Sequence, residues 1–202
     1  MRQNTVFKGE LIDIKEQNLT NHIQEVKQKN ELIKYLEKER IVEALNNTQD
    51  HKKATLIRVL WMTGVRVSEA INIKKSDINF TEKEIKILWQ KRKKYHYRTI
   101  AVKPELIYAL QIYTAKLKSN DKLFDYTRQR ADQIVKEVLG KDVSAHMLRH
   151  SFAINFLRQT KNPQDMIVLQ RLLGHKHINT TMVYLQIVPK DMHASLGGIN
   201  FN

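Results

Sequence analysis

The sequence predicts an α+β fold, mainly α, with one small antiparallel β-sheet in the form of a hairpin. Three observations lead to it. Apolar residues recur at three- and four-residue spacing over most of the chain. Two-residue alternation is confined to 85–89 and to a second β-like run at 99–102. Glycine and proline fall mainly between the periodic stretches, where they act as stops and starts.

Residues 1–29 are polar, lack strong periodicity, and read as an arm or linker with some helix. From Glu31, apolar residues at Leu32, Ile33, Leu36, Ile41, Val42 and Leu45 predict an amphipathic helix of about four turns. The run Asn46-Asn47-Thr48-Gln49-Asp50 breaks it, with Asp50 or a neighbour placed to cap the next helix. That helix reaches about Met62 and stops at Thr63-Gly64, and a short one follows over 67–73. Ile85, Ile87 and Trp89 then alternate with Glu84, Lys86 and Leu88, so 85–89 and 99–102 form a hairpin whose long basic tip is 90–98. Pro104 opens a helix to about Lys118. Helices follow near 127–139, 146–160, 163–173 (opened by Pro163) and 178–187. The organisation expected is an arm at 1–30, a folded body at 31–187 and a tail at 188–202 with Gly197-Gly198.

A chain of 202 residues is long enough for one well-packed domain. Hydrophobic residues at 42% exclude full disorder, and 28% charged residues with a mean hydropathy of −0.50 suit a water-soluble surface. No apolar run approaches the ~20 residues of a membrane span, and residues 1–10 contain no apolar signal core, which predicts a cytoplasmic protein. The absence of cysteine excludes disulfides, a thiol nucleophile and thiolate metal sites. Charge is unevenly spread: residues 1–50 hold eight Lys/Arg against nine Asp/Glu, whereas 51–202 hold 27 against 12. A body this basic suits a polyanion, since each phosphate neutralised releases counterions.

Three stretches carry candidate chemistry. They are Thr63-Gly64-Val65-Arg66-Val67-Ser68-Glu69; His146-Met147-Leu148-Arg149-His150; and Leu172-Leu173-Gly174-His175, followed by Tyr184 in Thr180-Thr181-Met182-Val183-Tyr184. Breaking and rejoining a phosphodiester without a metal requires a nucleophile, multi-donor cations for the non-bridging oxygens, and an acid for the leaving 5′ oxygen. Guanidinium serves the oxygens better than ammonium because it donates as a planar fork. Two arginines, two histidines, a lysine and a tyrosine supply that set, and His146 and Arg149 share a helix face. A phosphotyrosyl bond conserves the energy of the broken linkage, so no nucleotide is needed. The sequence has no Gly-rich phosphate loop, no dinucleotide fingerprint and no acidic cluster at metal-ligand spacing, so neither cofactor nor metal is expected. Singly, each residue has an ordinary structural explanation: Arg66 as a helix-end cation, His175 as a cap, Tyr184 as core. Their joint order is what carries weight.

That order (Arg, then His-x-x-Arg, then Gly-His, then Tyr) resembles the signature of tyrosine recombinases, the phage integrases and Xer resolvases. The likeness extends over about 35–187 and implies the fold of a tyrosine recombinase catalytic domain. It implies that Arg66 and Arg149 clamp the scissile phosphate, that His146 and His175 stabilise it and manage protons, and that Tyr184 attacks to give a 3′-phosphotyrosyl link. It also implies a general-acid lysine on the hairpin, where Lys91, Lys93 and Lys94 compete and Lys91 is favoured because it closely follows the first strand. Glu69 resembles an acid supporting the first arginine. The implied partners are double-stranded DNA and further copies of the chain, as a homotetramer on two DNA sites with 188–202 docking on a neighbour. The order departs from the family where a helical DNA-clamping domain of about a hundred residues ordinarily precedes the catalytic one. The rival readings are a topoisomerase-like DNA-relaxing enzyme and a catalytically idle DNA-binding regulator.

Overall fold

The structure, a computed structural model, describes residues 33–91, 94–160, 162 and 164–188, with only the backbone for 90, 91, 94 and 95. The chain divides after Lys34, and the second part, Tyr35–Asn202, holds everything that follows. The expected arm at 1–30, the tail at 188–202 apart from Val188, and Pro163 lie outside the described residues.

In chain order the elements are α1 (Lys38–Asn46), α2 (His51–Thr63), α3 (Val67–Ala70), β1 (Ile78–Asn79), β2 (Glu84–Lys91), β3 (Lys94–Ala101), α4 (Pro104–Tyr113), α5 (Arg128–Leu139), α6 (Ala145–Gln159), α7 (Asp165–Leu173) and α8 (Asn179–Met182). A 3₁₀ turn, Val183–Gln186, continues directly from α8. The strands form one antiparallel sheet in the order β1-β2-β3. Among the described residues no helix is long and apolar enough to cross a membrane.

α2 is the central helix because it is apolar on nearly every side: Ala54, Leu56, Ile57, Val59 and Leu60 are all buried. Its start is fixed by Asp50, whose carboxylate accepts from the backbone N–H of Lys52 and Lys53 at 2.9 and 3.0 Å. Around it pack α4, α5 and α6. Ile85, Ile87 and Ile100 turn one face of the sheet into the same core, which continues through Leu106, Phe124, Ile134 and Leu148.

Three expected elements differ. Among the described residues the first helix starts at Lys38, and 33–37 of the helix expected from Glu31 are not helical, because the Leu36 N–H is taken by the Ser151 hydroxyl at 2.7 Å, holding that segment extended against α6. The hairpin has no long tip: the ladder continues through Trp89↔His96 and Gln90↔Tyr95 to Lys91↔Lys94. Cross-strand stacking of Trp89 on His96 (4.6 Å between ring centroids) and Lys86 over the Tyr97 ring (4.2 Å) extend the pairing through the basic stretch. The helix from Pro104 is also shorter than expected, ending at Tyr113, and the following turns return Leu123 and Phe124 to the core.

Candidate active site

The site is assembled from three helix boundaries. At the first, α2 ends on Gly64, which has φ +64° in the left-handed region that glycine tolerates. A Cβ there would stand 2.4 Å from Cδ1 of Phe152, so the absence of a side chain also lets α6 approach. Arg66 follows as the residue capping α3. Glu69, three residues on, reaches back: its Oε2 accepts the Arg66 N–H at 2.8 Å and its Oε1 accepts from Arg66 Nη1 at 3.2 Å.

The second boundary is the start of α6. His146 is exposed in the first turn, while Arg149, one turn on, is only 2% exposed. Its Nη1 donates to the Gly64 carbonyl at 2.6 Å and its Nη2 to the Leu173 carbonyl at 2.7 Å. Two of five N–H donors are thus held by the C-terminal ends of α2 and α7. Burial, aided by the nearby Arg66 charge, lowers the Arg149 pKa to about 10, so the guanidinium stays charged at neutral pH.

The third boundary is the end of α7. Gly174 has φ +66°, and the His175 N–H returns to the Gln170 carbonyl at 3.0 Å, a Schellman closure. The His175 imidazole is fixed through Nδ1 and the Thr181 hydroxyl, 2.9 Å apart. α8 and the 3₁₀ turn then bring Tyr184 against α6. Its ring is 2% exposed, and its hydroxyl lies in a hydrogen bond, 2.9 Å long, with Nδ1 of His150.

Arg66, His146 and Arg149 share the wall of a cavity of about 540 Å³ with Arg128 and Lys136 of α5. Arg66 also borders a groove of about 1360 Å³ that runs between the hairpin (Trp89, His96, Tyr97) and the turn bearing His175 and Lys176. The two depressions therefore meet at Arg66. Burial lowers His150 and His175 to about 4, with neighbouring positive groups adding to the effect, and lowers His146 for the same reasons. Burial raises the Tyr184 phenol, against the opposing pull of Arg149. At neutral pH the site thus holds neutral imidazoles and a protonated phenol beside the charged guanidinium of Arg149.

Of the residues singled out from sequence, the fold brings together Arg66, His146, Arg149, His175 and Tyr184. The backbone of Lys91 ends β2 in the last pair of the ladder, opposite Lys94; its side chain, that of Lys94, and Lys93 lie outside the described residues. Two site residues were not singled out. His150 sits four residues after His146 on the same helix face, with the rings edge-on at 4.6 Å. Arg98 pairs through both nitrogens with Glu69. Its alternation with Ile100 already placed it on the buried face, where a cation requires an anion.

The fold is that of a tyrosine recombinase catalytic domain. It resembles the catalytic domain of bacteriophage HP1 integrase with a TM-score of 0.61 at 24% identity, covering 82% of this chain and 95% of that one. It also resembles XerH site-specific recombinase bound to palindromic difH substrate in a post-cleavage complex, with a TM-score of 0.64 at 23% identity, covering 83% of this chain and 53% of that one. In sequence, tyrosine recombinase XerH of Campylobacter jejuni is 35% identical over an alignment of 170 residues, which covers 77% of this chain and 46% of that protein. The sequence model of the phage integrase family matches residues 17–190. The chain belongs to the phage integrase family. It spans about half the length of the XerH proteins it matches.

Proposed function

We propose that this chain cuts and rejoins double-stranded DNA through a covalent link to Tyr184. The observation that carries the reading is Arg149: a buried guanidinium whose hydrogen bonds run to two carbonyls, beside Arg66, three neutral histidines and a tyrosine hydroxyl. A buried cation without a carboxylate directly on it is costly, and a phosphate resolves that cost. In this mechanism Arg66 and Arg149 take the non-bridging oxygens and His146 and His175 add neutral hydrogen bonds. The Tyr184 oxygen attacks phosphorus as its proton passes to Nδ1 of neutral His150, 2.9 Å away, the bond from phosphorus to the 5′ oxygen breaks, and Lys91 protonates the departing oxygen. Reversal from the 3′-phosphotyrosyl link by a 5′-hydroxyl rejoins the strand. The active assembly is a homotetramer on two DNA sites, and a XerH of similar fold, solved on its difH substrate after cleavage, supports DNA as the partner.

The test uses a library of nicked duplexes with randomised half-sites, in which the short fragment released by cleavage diffuses away and traps the covalent complex. Protein-linked DNA should form with the natural chain and be absent with Tyr184→Phe, whose affinity for the recovered duplex should be nearly unchanged. Equal covalent yield from the Phe variant would assign the attack to another residue. Sequencing the trapped DNA identifies the site, and sizing of the complex on that duplex reads the number of subunits.

A further inference from the structure

Arg98 belongs to the basic stretch of the hairpin, yet its side chain is only 12% exposed. Its register partner is Ile87, so it stands on the core face of the sheet with Ile100. Three groups from two other parts of the fold meet its guanidinium. Nη1 and Nη2 donate to Oε1 and Oε2 of Glu69 at 3.0 and 2.9 Å, a fork-to-fork pair. Nε donates to the Leu172 carbonyl at 3.2 Å. The plane of the group also lies against Gly174, where an added Cβ would be 3.1 Å from Cζ.

Each contact is one step from the proposed phosphate site. Glu69, 4% exposed, grips both the backbone and Nη1 of Arg66. Burial raises the Glu69 pKa, but the hydrogen bond and charge of Arg98, with help from Arg66, outweigh this and keep it below the usual range, so the carboxylate stays ionised. Leu172 and Gly174 form the helix end and turn that immediately precede His175. An ammonium could supply the charge but not the planar set of donors that spans a carboxylate and a carbonyl.

We propose that Arg98 is a positioning residue for phosphate transfer, its guanidinium fixing Arg66 and His175 in the mutual placement needed to hold one phosphate between them. The inference rests on the phosphotransfer reading above and adds a residue that acts through Glu69 and the Gly174 turn instead of through contact with DNA.

The experiment compares the full chain with Arg98→Lys, which keeps the stem and the charge, and with Arg98→Gln. Both are assayed on the recovered duplex and on the same duplex with a neutral methylphosphonate at the scissile position. Arg98→Lys should melt as a folded protein and bind the duplex as tightly as the natural chain. It should form the covalent complex about 10²-fold more slowly, the cost expected of a displacement near 1 Å. The methylphosphonate carries one anionic oxygen fewer and asks less of the cationic clamp, so the deficit should narrow on it. Cleavage at the natural rate, a loss of binding that accounts for the whole effect, or an equal deficit on both duplexes would overturn the proposal.

A second readout needs no turnover. NMR titration of the His175 imidazole, held at about 4 chiefly by burial and then by Arg149 and Arg66, should move up towards the ordinary histidine range in Arg98→Lys and Arg98→Gln. An unmoved His175 would overturn the proposal. If the natural chain itself gave no covalent complex, the phosphotyrosyl reading would fall, and this titration would still decide whether Arg98 holds the turn.

Discussion

Replacing Gly64 by alanine tests how the end of α2 serves both the fold and Arg149. The residue has φ +64°, where a Cβ costs about 1–2 kcal/mol. The new carbon would also stand 2.4 Å from Phe152 Cδ1 and 2.9 Å from its Cγ. Forcing the ring or the helix aside costs about 1–3 kcal/mol in a packed region. Together these give a destabilisation of about 2–4 kcal/mol, with the ring's partial freedom at the edge of its groove keeping the sum below the upper limits. For a chain of this size that corresponds to a fall in Tm of roughly 5–15 °C. Function should suffer by a different route. The Gly64 carbonyl holds Arg149 Nη1 at 2.6 Å, so a backbone shift there misplaces the guanidinium. Covalent-complex formation should drop by about 10²-fold with DNA affinity largely kept. Thermal melts and single-turnover trapping on the recovered duplex read the two effects separately. Adding Phe152→Leu to Gly64→Ala should relieve the steric part and leave the backbone part. A Gly64→Ala chain that melts within about 3 °C of the natural one and cleaves at its rate would refute the reasoning.

Three further expectations follow from the same geometry. His150 and His175 are held at about 4, against 6.5 when unperturbed. The unfolded chain therefore binds more protons than the folded one between those values, so stability is full above about 6.5 and is lost as pH falls towards 4; a Tm that does not fall between pH 7 and 4.5 would contradict the assignment. Affinity for DNA should fall steeply with salt, because residues 51–202 hold 27 Lys/Arg against 12 Asp/Glu, and a flat plot of log affinity against log salt would rule out a backbone-dominated footprint. Lys91→Ala should be slow on ordinary DNA and largely restored on a bridging 5′-phosphorothiolate, whose sulfur leaves without a proton, whereas Lys93→Ala and Lys94→Ala should lose little on either. Rescue of one of those two instead would move the acid along the hairpin.

What the sequence discloses depends on whether a residue's signal is local. Gly64 and Gly174 announce helix ends because their own left-handed backbone angles favour glycine, and Asp50 announces a start because its partners are two and three residues away. The true length of the hairpin was hidden because Lys94, His96 and Arg98 interrupt the apolar alternation, and the pairing depends on ring stacking between strands. The start of α1 depends on Ser151, 115 positions away from Leu36. His150 and Arg98 were readable in part, the first from its four-residue spacing to His146 and the second from its two-residue spacing to Ile100. Their partners, Tyr184 and Glu69, are 34 and 29 positions distant, so their roles emerge only once the chain is folded.

Among the described residues, the carbonyl ends of two helices and no carboxylate hydrogen-bond Arg149 directly, and this bears on what stabilises the fold. A fixed anion at that place would satisfy the cation permanently and compete with the phosphate; helix carbonyls leave part of the demand open. On the proposed reading a phosphodiester meets the open part, and any ligand that binds the folded state alone shifts the folding balance by mass action. Copies bound to DNA are, on that reading, the stabilised ones.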